Sequence, residues 1–236
     1  MKIMSYEVYA DDLDKLTITD AKQVINTINP HSYVTAKSDA LFEEALKDSD
    51  ILIPDGSGIV LAAKQINNES ISKIAGSDLH IHLLKQLNRE KKRCFYMGSS
   101  QNTLDSLKKR LNSEYPNIIV EFYSPPFKDT FNDKENQEII NAINKFNPDV
   151  LFVGMTAPKQ EKWLHKHKNE LNFKVATSIG AVFDFYAGTV IRPSQFWLDL
   201  HLEWFARLLK EPKRLWRRNF VSTPLFLMDV MLYKLK

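Results

Sequence analysis

The chain has 236 residues, a formal charge of +3, 44% hydrophobic residues and one cysteine. That length fits one main domain with an appendage, and the lone Cys94 excludes an internal disulfide framework and fits a reducing cytoplasm. No run reaches the ~18 apolar residues of a membrane span, and Glu7, Asp11 and Asp12 interrupt any signal-peptide core near the start.

Residues 17–29 read as a short helix, capped by Thr17 or Thr19 and stopped at Asn29-Pro30. Ser32 to Thr35 reads as a short strand. Helix 38–48 follows, with Ser38 as cap and Leu41, Phe42, Ala45 and Leu46 on one face. Strand 50–54 ends at Asp55-Gly56-Ser57-Gly58, and a helix begins after Gly58. Gly76-Ser77-Asp78 turns the chain into helix 78–89. Strand 93–97 ends at Gly98-Ser99-Ser100 and precedes helix 101–114. Strand 118–122 leads to the loop Tyr123–Phe127. Helix 133–146, strand 150–153, helix 158–170 and strand 174–178 complete the series. Cys94 reads as a buried strand residue rather than a nucleophile. The alternation predicts an α/β fold, a doubly wound and mainly parallel sheet. We divide the chain into a core over 1–194 and a basic helical appendage over 195–236.

Three segments share one design: an apolar strand, a glycine, a polar turn and the start of a helix. They are Asp50–Val60, Asn147–Trp163 and Lys174–Asp184. Such turns lie at the strand C-termini, where open α/β sheets bind ligands. Helix N-termini there favour anions, and Gly98-Ser99-Ser100 and Gly154-Met155-Thr156-Ala157 are so placed. Neither has the spacing of a P-loop or a full dinucleotide fingerprint. Lys159, Gln160 and Glu161 are polar hooks beside Gly154 and Met155. Asp55, at a strand end before Gly-Ser-Gly, is either a base pointing into a cleft or a cap or Asx turn of the next helix.

Two metal readings fail on placement. Asp12-Leu13-Asp14 and Asp48-Ser49-Asp50 read as surface turns, the second at the wrong edge of the sheet. His80/His82 and His165/His167 are two residues apart, about 200° around a helix, so each pair diverges. No metal is expected, and no cofactor.

Residues 197–236 carry eight Lys/Arg against four Asp/Glu, a surplus of +4 that leaves about −1 elsewhere. Arg207, Arg214 and Arg218 lie within about 40° on a helical wheel, with Phe205, Leu209, Trp216 and Phe220 roughly opposite. An ordinary amphipathic helix with solvated arginines and an interfacial membrane helix both fit this pattern. The stretch Pro224–Lys236 is apolar with a cationic end; interfacial insertion or packing on a sister subunit would hide it. A nucleic-acid binder would explain the basic tail but not the glycine turns.

Pro54-Asp55-Gly56-Ser57-Gly58-Ile59, Gly154-Met-Thr-Ala-Pro-Lys-Gln-Glu161 and Ile179-Gly-Ala-Val-Phe-Asp-Phe-Tyr-Ala-Gly188 together resemble the WecG/TagA/CpsF family of glycosyltransferases. The similarity runs from about Asn29 to about Asn219. It implies a Rossmann-like core with a C-terminal helical appendage. It also implies transfer of a sugar, N-acetylmannosamine or a relative, from a UDP-sugar to a polyprenyl-diphosphate-linked acceptor in cell-envelope polysaccharide synthesis. On that likeness Asp55 matches the family's proposed catalytic Asp. Thr35 matches a threonine near it, although this chain has Thr35-Ala36-Lys37 where the family more often has Thr-Pro-Asn or Thr-Leu-Asn. Gly98, Gly154, Met155, Lys159, Gln160, Glu161 and Gly180 would hold the nucleotide sugar. The motif Glu203-Trp-x-x-Arg207…Glu211-Pro-x-Arg214 resembles the family's appendage, so Arg207, Arg214 and Arg217 would face the diphosphate without a metal. The protein would be cytoplasmic and peripheral on the inner face of the cell membrane. The alternative is a non-catalytic nucleotide-sugar-binding or membrane scaffold protein of the same fold.

Overall fold

A computed structural model describes residues 1–190 and 212–235. A small antiparallel hairpin comes first, β1 (Lys2–Ile3) and β2 (Tyr6–Glu7). The body is a six-stranded sheet of β3 (Gln23–Ile28), β4 (Ile51–Pro54), β5 (Arg93–Gly98), β6 (Ile119–Tyr123), β7 (Val150–Gly154) and β8 (Val175–Ser178). Its order is β4-β3-β8-β7-β5-β6, and every pairing is parallel. The expected Rossmann-like, doubly wound α/β architecture is thus present.

Helices α1 (Pro30–Ala36), α2 (Ala40–Lys47), α3 (Ser57–Asn67), α4 (Gly76–Glu90), α5 (Gln101–Glu114), α6 (Asp133–Phe146), α7 (Lys159–His167) and α8 (Val182–Ala187) connect and cover the strands. Alternate residues of each strand go to opposite faces. Ile25, Tyr96, Phe152 and Val175 pack with Leu83 and Leu87 of α4 and Leu104 and Leu107 of α5. Val24, Phe95, Leu151 and Ala176 pack with Ile139 and Ile143 of α6 and Leu164 of α7. With both faces covered, β7 is buried at every residue, which is why it reads as an unbroken apolar run. Carboxylates tie the opposite, N-terminal edge. Asp50 accepts from the Val24 amide at 2.7 Å and Asp149 from the Arg93 amide at 2.9 Å.

Two expectations near the start are wrong. Residues 23–28 form a strand, not a helix, and Ser32–Thr35 lies in helix α1, not a strand. Asn29-Pro30 opens a helix here instead of closing one. The Asn29 side chain accepts from the His31 and Ser32 amides, and Pro30 stands at the first helical position, where its missing N–H leaves no bond unmade.

The chain returns as α9 (Pro212–Arg217), a π-helical step (Arg218–Ser222) and α10 (Thr223–Lys234). Phe226 and Val230 of α10 are buried with Ile3, Tyr6, Tyr33, Leu52 and Ile59. The end of the basic tail therefore completes an apolar cluster of the core. The 194/195 boundary itself falls outside the described residues.

Candidate active site

The connection leaving β5 runs outward to β6, and the one leaving β7 runs back to β8. Strand order reverses between them, and an open sheet has its ligand crevice at that point, beyond the strand C-termini. Gly98 and Gly154, the last residues of β5 and β7, are partners in register. After Gly98, at φ +127°, Ser99 takes a left-handed conformation and donates its amide to the Gly154 carbonyl at 3.0 Å. A Cβ on Gly154 would lie 2.5 Å from the Phe183 ring. No side chain fills these two positions, so the backbone lines the crevice.

Beyond Gly154 the polar hooks gather. The Met155 amide donates to Gln160 Oε1 at 3.1 Å, and Gln160 Nε2 donates to Glu161 Oε1 at 2.9 Å. Gly180 joins them: a Cβ there would stand 3.3 Å from the Met155 carbonyl and 3.5 Å from the Gln160 amide. Glu161 is buried, and its Oε2 has no hydrogen-bond partner among the described residues. Burial pushes its pKa up to about 7. A buried acceptor without a donor is costly, and a ligand N–H or O–H would satisfy it. Lys159 reaches instead to the loop after β6. Its ammonium donates to the Lys128 carbonyl at 2.5 Å and lies 3.8 Å from the centre of the Phe131 ring.

One carboxylate was missed from the sequence. Asp184 of α8 accepts from Ser99 Oγ at 3.3 Å and from Thr103 Oγ1 at 3.1 Å. The first turn of α5 thus already faces a fixed carboxylate. Asp184 stands inside the Ile179–Gly188 motif, which was the available signal.

Asp55 lies at the end of β4, three strands from Gly154, or about 14 Å at ~4.8 Å per strand. Its amide donates to the Ile28 carbonyl at 2.9 Å. Gly56, at φ +109°, is the N-cap of α3 and provides no side-chain cap. A Cβ on Gly58 would come within 2.4 Å of Pro30 Cγ, so the β4–α3 turn sits directly on the β3–α1 turn. Thr35 is not in that turn. It occupies the last turn of α1, and its hydroxyl donates to the His31 carbonyl at 2.8 Å. The residues beside Asp55 are Thr27, Ile28 and Asn29. They carry the Thr-x-Asn pattern that Thr35-Ala36-Lys37 lacks, eight residues earlier in the chain.

The tail reaches the same edge. His31, in the first turn of α1, lies 2.9 Å through Nδ1 from Ser222 Oγ. Burial first, then the Arg218 and Arg217 charges, lower the His31 pKa. Arg217 is exposed, within the electrostatic reach of that turn. Arg207, and the side chain of Arg214, lie outside the described residues.

The histidine pairs diverge. His80 bonds the Tyr96 hydroxyl in the core and His82 the Leu16 carbonyl, while His165 pairs with Asp48 and His167 with Glu170. Among the described residues no three His, Cys, Asp or Glu side chains gather as metal ligands would. Nor is any described helix long and apolar enough to cross a membrane.

The profile of the glycosyl transferase WecG/TagA/CpsF family matches residues 1–236. The protein belongs to that family. As a WecG/TagA/CpsF member it is a glycosyltransferase. It is similar to an N-acetylglucosaminyldiphosphoundecaprenol N-acetyl-beta-D-mannosaminyltransferase of Bacillus subtilis (strain 168), 33% identical over 208 residues, or 88% of this chain and 78% of the relative. A protein of the same name from Staphylococcus aureus (strain MW2) is 27% identical over 212 residues, 90% of this chain and 81% of the relative. Both alignments are long enough to take in most of the sheet and its glycine turns.

Proposed function

We propose that this glycosyltransferase moves N-acetylmannosamine, or a close relative, from a UDP-sugar to a polyprenyl-diphosphate-linked N-acetylglucosamine. The observation that carries the reading is the arrangement along one sheet edge. The crevice between Gly98 and Gly154, with the orphaned Glu161 oxygen, suits a nucleotide. Asp55 stands three strands away, where the sugar end of an extended donor would lie.

In this mechanism Asp55 takes the proton from the acceptor hydroxyl. The alkoxide oxygen attacks the anomeric carbon, the bond to the diphosphate breaks, and UDP leaves with the bonding pair. One displacement inverts the anomeric centre, so an α-linked donor gives the β-linkage that the relatives' names carry. General-base help of this kind is worth about 10²–10⁴-fold. Charge growing on the diphosphate would be met by Arg207, Arg214 and Arg217, with no metal. Thr27 and Asn29, beside Asp55, would hold the sugar or the acceptor.

The acceptor's lipid tail requires a membrane surface. Trp216, Phe220, Met228, Met231, Leu232 and Leu235 are exposed on the tail, and Arg217, Arg218 and Lys234 flank them. Such a surface suits interfacial attachment to anionic lipid on the cytoplasmic face.

The test is UDP release from UDP-N-acetylmannosamine with a lipid-diphosphate-N-acetylglucosamine acceptor, with the product's anomeric configuration read by NMR. No turnover with this pair, but turnover with another sugar nucleotide, would replace the donor assignment.

A further inference from the structure

Phe127 has more exposed area than any other large hydrophobic among the described residues, 105% of its reference value. It lies in the segment Ser124-Pro125-Pro126-Phe127-Lys128, just after β6. Both ends of that segment are tied. Ser124 Oγ donates to the Ser99 carbonyl at 2.8 Å, in the turn after β5. The Lys128 carbonyl accepts from Lys159 Nζ at 2.5 Å, at the start of α7 after β7. Ser99 and Lys159 follow the two strands that flank the crevice. The segment therefore runs from one lip of the crevice to the other.

The ties are themselves supported. Lys128 Nζ pairs with Glu135 at 2.5 Å. Phe131 and Tyr123, on either side of the segment, pack against the same core cluster as Met155. Pro125 and Pro126 fix two φ angles ahead of the phenylalanine, which limits the conformations it must give up on ordering. The ends are anchored and the backbone is stiffened, and the ring has no apolar partner among the described residues.

We propose that Phe127 is the stacking platform for the nucleobase of the donor. This rests on the reading that the donor is a nucleoside-diphosphate sugar. A nucleobase offers a flat π face, and an aromatic side chain binds it by stacking without needing a particular hydrogen-bond pattern. The ring covers the base, the backbone of Gly98 and Gly154 lines the crevice below, and recognition of the base edge is left to the polar groups beside Glu161.

The experiment is calorimetric titration of the full-length protein with UDP, for the parent and for Phe127→Ala, Phe127→Leu and Phe127→Trp. Because the side chain is fully exposed, the variants should melt with the parent. The expected result is a Kd for UDP raised about 5- to 150-fold in the Ala and Leu variants, the range of one base–aromatic stack. The Trp variant should keep the parent affinity. A parent that binds UDP, with Ala or Leu variants within twofold of it, overturns the stack alone. The same holds if Phe127→Ala keeps UDP affinity and instead loses co-sedimentation with anionic vesicles. A parent that binds no UDP overturns the donor reading and the stack with it.

Discussion

A Cβ on Gly98 would come within 2.2 Å of the Gly154 carbonyl oxygen, the acceptor of the Ser99 amide. Neither strand yields easily, because β5 and β7 pair in register from Cys94–Val150 to Gly98–Gly154. Gly98→Ala should therefore strain the φ +127° conformation, a cost of about 1–3 kcal/mol, and push the two lips of the crevice apart. A lower thermal midpoint together with lost UDP binding in a titration is the expected pair of results. Unchanged UDP affinity would move the nucleotide away from this crevice.

Asp55→Asn keeps the shape of the strand end and removes the proposed base. Turnover should fall about 10²-fold or more while UDP affinity stays near the parent value. Turnover within a few-fold of the parent removes Asp55 from the mechanism. Activity should also persist in excess EDTA; loss that Mg²⁺ restores would reassign the diphosphate charge from arginine to metal.

Phe226 is fully buried against Tyr33, the two rings meeting edge-on at 5.1 Å between centroids. Phe226→Ala should cost about 3–5 kcal/mol, read as a shift in the urea midpoint. A chain ending at Ser194 loses this residue and Val230 together. It should unfold earlier than the full chain as well as lose activity. Equal midpoints would mean that α10 adds nothing to the core.

Glu161 sets a pH dependence. Its folded pKa, about 7, lies above the ordinary 4.5. The folded state therefore holds a proton that the unfolded state has released between those values, and stability falls as pH rises through this window. The loss is roughly 3 kcal/mol, complete above about pH 7. Glu161→Gln should be more stable than the parent at pH 8, with the gain fading toward pH 4.5. Urea midpoints across that range measure it; a constant difference would deny the titration.

His80 acts in the opposite sense. It is buried beside Tyr96, and burial, with a smaller push from the Arg110 charge, lowers its pKa from 6.5 to about 3. Its stabilising part is present above pH 6.5 and is lost as pH falls toward 3, because the unfolded chain takes up the proton first. His80→Gln should flatten the acid side of the stability curve, as read by thermal midpoints between pH 4 and 7.

The central and C-terminal strands were legible because apolar runs such as Val150–Val153 end at glycine and are followed by strong helix starts. Helix 133–146 was read to the residue, with Asn132 and Glu135 forming its capping box. The misreading lay at 17–36. Val24 and Ile28 are four apart, as on a helix face, although they belong to a strand. Asn-Pro can end one element or start the next, and only the packing of Pro30 on Gly58 decides between them. Thr27-Ile28-Asn29, inside that stretch, stands beside Asp55, whereas Thr35 lies in the last turn of α1. Asp184 escaped notice for a different reason. Its partners Ser99 and Thr103 come from another strand–helix unit, and no spacing along the chain announces such a meeting.

The cluster joining Ile3 and Tyr6 to Phe226 and Val230 has a consequence for how the molecule is born. A ribosome delivers every strand of the six-stranded sheet before it delivers Phe226. The sheet can close while the flank formed by α1, α3 and the hairpin still waits for its last two members. Contacts so distant along a chain form slowly. A nascent chain whose sheet closes at that point would carry an open apolar flank until Phe226 and Val230 arrive, and such exposed apolar surface is what makes unfinished chains adhere to one another.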